Sequence, residues 1–162
     1  MKSIRISIFV IFCLFPVFLR AQNINAQLNQ MPGETSDWQF QFEYQLTKDL
    51  SNGFFVEFSD SLKVYPVSIQ INNHPFYLVN ISSIPERDSV LAWQASDNGL
   101  MVICRSGVLK SGDVININCL SGAPKTENIA RVNLREVTNT TDGPQIASQE
   151  TVSGNISQGN QR

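Results

Sequence analysis

"WQFQFEYQL", residues 38–46, decides the fold. Trp38, Phe40, Phe42, Tyr44 and Leu46 alternate with Gln39, Gln41, Glu43 and Gln45 over the whole stretch. A period of two sends one set of side chains to a core and the other to water, the pattern of a half-buried β-strand.

Outward from this stretch, the same signal recurs. "GFFVEFS" sets Phe54, Val56 and Phe58 against Phe55 and Glu57, and "SVLAWQAS" sets Val90 and Ala92 against Leu91 and Trp93. "GLMVICRS" comes next, then "DVININCL", with Ile115, Ile117 and Cys119 on one face and Asn116 and Asn118 on the other. "NIARVNLREV" opposes Ala130, Val132, Leu134 and, after a slip, Val137 to Ile129, Arg131, Asn133 and Arg135. β-Branched and aromatic residues fill these runs, and no window holds a 3.6-residue spacing with caps. Short strands separated by Gly- or Pro-bearing turns predict an all-β antiparallel sandwich.

"LKVYPVSIQINNHPF", residues 62–76, fits as an edge. Pro66 lacks a ladder donor, so a strand is expected to start there, with Val67, Ile69 and Ile71 facing the core and Ser68, Gln70 and Asn72 facing water. "NNHP" is the expected turn, since Asn tolerates positive φ and the residue before Pro75 is pushed out of the helical region.

The chain ends differ in composition. In "MKSIRISIFVIFCLFPVFLRAQ", Lys2 and Arg5 precede an apolar run from Ile6 to Leu19 and the small residue Ala21. That is the layout of a secretory signal peptide, residues 1–21, with Ala26 as an alternative cleavage point. The run is shorter than the ~20 residues that cross a bilayer, so no transmembrane segment is expected after cleavage. "VIFC" lacks the small residue that lipidation at Cys13 would need. Residues 22–35 read as a linker and 36–137 as the sandwich domain. Residues 138–162, rich in Ser, Thr, Asn, Gln and Gly, read as a disordered C-terminal tail, either a plain polar terminus or a sorting segment. The expected location is secreted, periplasmic or cell-surface.

Chemistry is sparse. The net charge is −2, from 12 Lys+Arg and 14 Asp+Glu, so no basic field attracts nucleic acid. The single histidine, His74, sits in a turn, and no spacing of His, Cys and carboxylates suggests a metal. No G-x-S-x-G, P-loop or H-E-x-x-H occurs, and no pair of carboxylates is singled out, so the chain reads as no enzyme and as needing no cofactor. Cys104 and Cys119 are a candidate disulfide. They would stand opposite each other in a hairpin turning at Ser111 and Gly112, or face each other if the connection crosses between sheets, and closing a loop of about 15 residues contributes ~3 kcal/mol. Two buried free thiols are the other reading. Trp93, Tyr65 and Tyr77 are the candidate carbohydrate platform, weighed against core and edge packing. Asn80, Asn139 and Asn155 begin N-x-S/T triplets, and "DSL" and "DSV" match a short pattern glycosylated in some bacterial envelopes.

Taken in order, "FFVEFSDSLKVYPVSIQIN", "VLAWQASDNGLMVI", "VLKSGDVININC" and "ENIARVN" resemble the conserved repeat domain of bacterial surface adhesins. The matching residues are Pro66, Ser68, Ile69 and Ile71; Leu91 and Trp93; Leu109, Gly112, Asp113, Ile115 and Ile117; and Asn128, Ala130 and Val132. The resemblance implies an immunoglobulin-like sandwich, usually one bead in an envelope protein, with no catalytic residues; the chain is expected to be a structural or adhesive module with a protein partner at the cell envelope or surface. A glycan partner, or service as an accessory subunit of an envelope secretion or motility machine, stands beside it. The chain departs from the family in holding one copy, and its cysteines lie outside the pattern.

Overall fold

A computed structural model describes residues 24–31, 37–124 and 131–159, and the expected signal peptide lies outside them. Among the described residues, eleven strands form one continuous hydrogen-bonded ribbon in the order β5-β4-β9-β2-β1-β11-β10-β3-β8-β7-β6. They are β1 (Asn25–Gln30), β2 (Asp37–Gln45), β3 (Gly53–Phe58), β4 (Val64–Ile71), β5 (His74–Pro75), β6 (Tyr77–Val79), β7 (Val90–Ser96), β8 (Gly99–Ile103), β9 (Val114–Gly122), β10 (Arg131–Thr140) and β11 (Gly143–Gly159).

The ribbon is doubled over into two layers. Phe40 of β2 and Phe58 of β3 stand far apart along it, with β1, β11 and β10 between their strands, yet their rings meet edge to face, centroids 4.9 Å apart at 88°. Only face-to-face packing permits this, and such pairs add about 0.5–1.5 kcal/mol beyond their burial. The first sheet is β5-β4-β9-β2-β1 and the second is β11-β10-β3-β8-β7-β6. Phe40, Phe42 and Tyr44 from one, and Phe54, Val56, Leu100 and Val102 from the other, are buried between them. The all-β sandwich expected from the sequence is the observed fold. Neighbours run antiparallel except for two pairs, β1 with β11 and β6 with β7.

Two segments that the sequence places outside the domain are strands of it. The expected linker 22–35 contains β1, and the expected tail contains the end of β10 and all of β11. β11 pairs with β10 from Gly143 to Asn155, then with β1 from Ile156 to Gly159, and so carries the ribbon from one layer to the other. Gly154 stands at this transfer because a Cβ there would lie 2.7 Å from the Ile24 Cβ. The polar composition misleads because β11 buries only Val152 and Ile156 and leaves most of its length wet. Such a strand is held by its ladder and two anchors.

β4 starts two residues before Pro66. A register shift between Pro66 and Ser68 leaves Ile69 and Ile71 buried as expected but turns Val67 outward, 63% exposed. The extra residue of a bulge breaks the alternation of faces at that point in the strand. Asn72 and Asn73 then take φ of 53° and 64°, the two-residue hairpin turn expected at "NNHP".

The Cys104–Cys119 bridge is not formed, and both thiols are free and buried. The chain crosses between sheets from β8 to β9, so the hairpin alternative fails. The crossing alternative fails because the two residues sit at opposite ends of the core. Cys119 pairs with Phe40, whose ring meets Phe58 at one end of β3, whereas the Cys104 amide donates to the Asn52 carbonyl beside the other end. The length of β3 between these ends is roughly 16 Å, and a disulfide needs Cα atoms within about 7 Å.

Candidate functional site

The three aromatic residues of the expected platform flank the open side of the sandwich, where the ribbon's two ends approach. Here the chain crosses at Phe76, whose amide donates to Ile69 of the first sheet at 3.1 Å, while the next amide, of Tyr77, donates to Ser89 beside the second at 3.0 Å. β5 pairs only with Gln70 and Ile71, and β6 only with Val90 to Ala92. The edges of β4 before Gln70 and of β7 after Ala92 therefore have no strand beside them among the described residues. Side chains seal that gap: Trp93, half-buried, packs against the core, and Tyr65 stands against it at 6.4 Å and 90°. The Lys63 ammonium lies 6.0 Å from the Tyr65 ring centre.

The structure thus joins Tyr65 to Trp93 and leaves Tyr77 apart. Tyr77 is level with Val90, three residues from Trp93, or about 10 Å along the strand. Perpendicular rings, one of them packed on the core, do not make a flat stacking surface. What they leave is an apolar margin: Tyr65 is 48% exposed, Val67 63% and Tyr77 78%. Pro66 and the bulge blunt the open β4 edge against strand addition.

A different surface lies on the outer face of the first sheet, built by the register of four strands. One row across it is Asn25, Glu43, Asn116 and Gln70; the next is Gln27, Gln41, Asn118 and Ser68. A third runs Asn29, Gln39, Leu120 and Tyr65. Neighbouring positions are ~4.8 Å apart across the strands and rows ~6.8 Å apart along them. The first two rows enclose a depression of about 210 Å³, walled by Asn25, Gln27, Gln41, Glu43, Asn116 and Asn118. Asn118 Nδ2 donates to Ser68 Oγ at 3.2 Å and Gln27 Nε2 to Asn25 Oδ1 at 3.5 Å. The Gln41 and Asn116 side chains have no such partner among the described residues. Glu43 is the only charged residue in the three rows.

Sequence reasoning assigns the amides of β2, β4 and β9 to the wet faces of their strands and those of β1 to a linker, and singles out none of them as a site. The signal is present in "NAQLN", "QFQFEYQ", "SIQ" and "NIN", where amides occupy nearly every outward position although Ser, Thr, Lys or Glu serves water equally well.

A larger concavity of about 510 Å³ lies over the second sheet, walled by Phe55, Met101, Arg135 and Ile146 among others. Its guanidinium is committed: Arg135 Nε donates to Glu57 at 2.8 Å and an η nitrogen to the Ser148 carbonyl at 2.9 Å. At one end of the sandwich two carboxylates pin the loop from Leu46 to Asn52. Burial pushes the Glu136 carboxyl up, but bonds from Lys48 and from the Ser51 hydroxyl and amide outweigh it and hold it below its ordinary value. Asp49 is lowered by the Ser111 amide and by Lys110. Burial pushes both cysteine thiols up to about 12, where they are neutral and unreactive. Among the described residues no three or more His, Cys, Asp or Glu are grouped to hold a metal ion, and no helix is long and apolar enough to cross a membrane.

No protein-family model matches the sequence, and no curated protein matches it. Among solved structures, the chain is similar to the collagen-binding domain from a Staphylococcus aureus adhesin, at 11% identity and a TM-score of 0.45, over 83% of this chain and 96% of that one. A second similarity is to a structure described as manganese lipoxygenase of Gaeumannomyces graminis with partial zonadhesin of Komagataella pastoris. There the identity is 12% and the TM-score 0.37, over 83% of this chain and 48% of the other.

Proposed function

We propose that the chain is an exported, non-catalytic β-sandwich module that works at a bacterial envelope as an adhesive protein, holding a protein partner. The observation that carries this reading is the apolar margin of the open side. Tyr65, Val67 and Tyr77 stand about half to three-quarters exposed along two edges that few strands cover. Tyr65 and Val67 lie two residues apart on β4 while Tyr77 stands apart on the facing edge, and exposed apolar side chains rimmed by polar residues mark interaction surfaces. Export is supported by the charged start, apolar run and small residue of positions 1–21.

The test is retention of the purified chain by envelope preparations from the source bacterium. Wild type is expected to be retained and a Val67→Lys, Tyr77→Lys variant with an unchanged circular dichroism spectrum to be released. Equal retention of the two would overturn the reading.

A further inference from the structure

The amide face of the first sheet carries chemistry that the apolar margin does not. Each Asn or Gln offers two N–H donors and a carbonyl acceptor on one flat group. An array of them without cations offers nothing to a phosphate or sulfate, which recruits Arg and Lys. Within the three rows Glu43 alone adds charge, and its sign repels anions; the Lys63 ammonium lies beyond the Tyr65 corner, 6.0 Å from that ring centre. The ligand such a face suits is neutral and carries many groups that both donate and accept, which describes the hydroxyls of a sugar polymer.

The geometry agrees. The depression between β1, β2 and β9 gives the face a concave centre, and Gln41 and Asn116 bring unspent amides to it. A row of four positions ~4.8 Å apart spans roughly 14 Å, the length of a short oligosaccharide. Beside the amides the third row ends in Leu120 and Tyr65, both nearly half exposed, a place for the apolar face of a pyranose ring.

We propose that this face is a binding surface for a neutral polysaccharide. It goes beyond the protein partner proposed above. The ligand class is the one an aromatic platform would have served, but the surface is the amide grid, with Tyr65 as its corner.

Electrophoresis of the full chain through native gels containing dextran, mannan or xylan tests it, with heparin as the anionic control. The expected result is retardation by at least one neutral polymer and none by heparin. Gln41→Ala with Asn118→Ala removes two amides from the face and is expected to weaken retardation about tenfold. Gln41→Glu alone keeps side-chain volume without setting two carboxylates opposite each other, and it is expected to abolish retardation with an unchanged circular dichroism spectrum, so that loss is not ascribed to a damaged sheet. The Val67→Lys, Tyr77→Lys variant is expected to be retarded like wild type, which separates this surface from the protein-binding margin. Wild type running alike in all gels, or the amide variants retarded like wild type, would overturn the proposal. Dimerisation that the amide substitutions abolish, with no retardation, would overturn it by assigning the face to a second copy of the chain.

Discussion

Tyr65 stands at a right angle to Trp93, ring centres 6.4 Å apart, across the gap between two sheets that no strand pairing closes at that level among the described residues. The two residues seal the sandwich unequally. Trp93 packs on the core, and its replacement by Ala is expected to cost about 2 kcal/mol or more, below the ~3–5 of a fully buried aromatic. Tyr65→Ala removes an exposed ring and is expected to cost less than about 1 kcal/mol. Urea denaturation of both variants checks this, and equal costs would mean that the seam is not built as described.

β11 makes a sharper prediction. It supplies the ladder for β10, the parallel partner of β1, and the buried Val152 and Ile156. Ending the chain after Asp142 is expected to abolish cooperative thermal unfolding, since two neighbouring strands lose their pairing at once. A truncated protein that melts as sharply as the full one would restore the disordered-tail reading.

The cysteines are expected to be silent toward a thiol reagent at pH 8 in the native protein, because burial holds their pKa at about 12. After denaturation without reductant, peptide mapping should find both Cys104 and Cys119 alkylated. Protection of both in the denatured chain would reveal a bridge.

Acid is expected to loosen the loop pinned by Glu136 and Asp49. Both carboxyls have folded pKa values below their ordinary 4.5 and 3.8. Their contribution is therefore complete above those values and is lost as pH falls through the lower, folded ones. Glu136→Gln should speed hydrogen exchange at the Ser51 amide at neutral pH and flatten its dependence as the solution is acidified through the carboxylate range. An unchanged profile would assign the loop's rigidity to Leu46 and Leu50 instead.

Much of the fold is legible in the sequence because its strands carry strong alternation. The faces of β2 can be assigned residue by residue, and the slip before Val137 appears as the register shifts between Leu134 and Val137. β1 and β11 escape because their anchors are few: Ala26 and Leu28 in one, Val152 and Ile156 in the other. Val67 escapes because a bulge is a property of pairing, invisible in one strand's own pattern. The amide face escapes for a related reason. Each strand's outward residues look like ordinary solvated positions, and only the register that sets Gln27 beside Gln41 and Gln41 beside Asn118 makes them one surface.

The most direct measurement is a titration of the isotope-labelled protein with a neutral oligosaccharide of dextran, mannan or xylan, tracked through the side-chain NH₂ resonances of Asn and Gln. A binding module of the kind proposed predicts that Gln27, Gln41, Asn116 and Asn118 move together and saturate while amides on the second sheet stay still. Resonances that do not move with any of the three, or shifts confined to the second sheet, would contradict it.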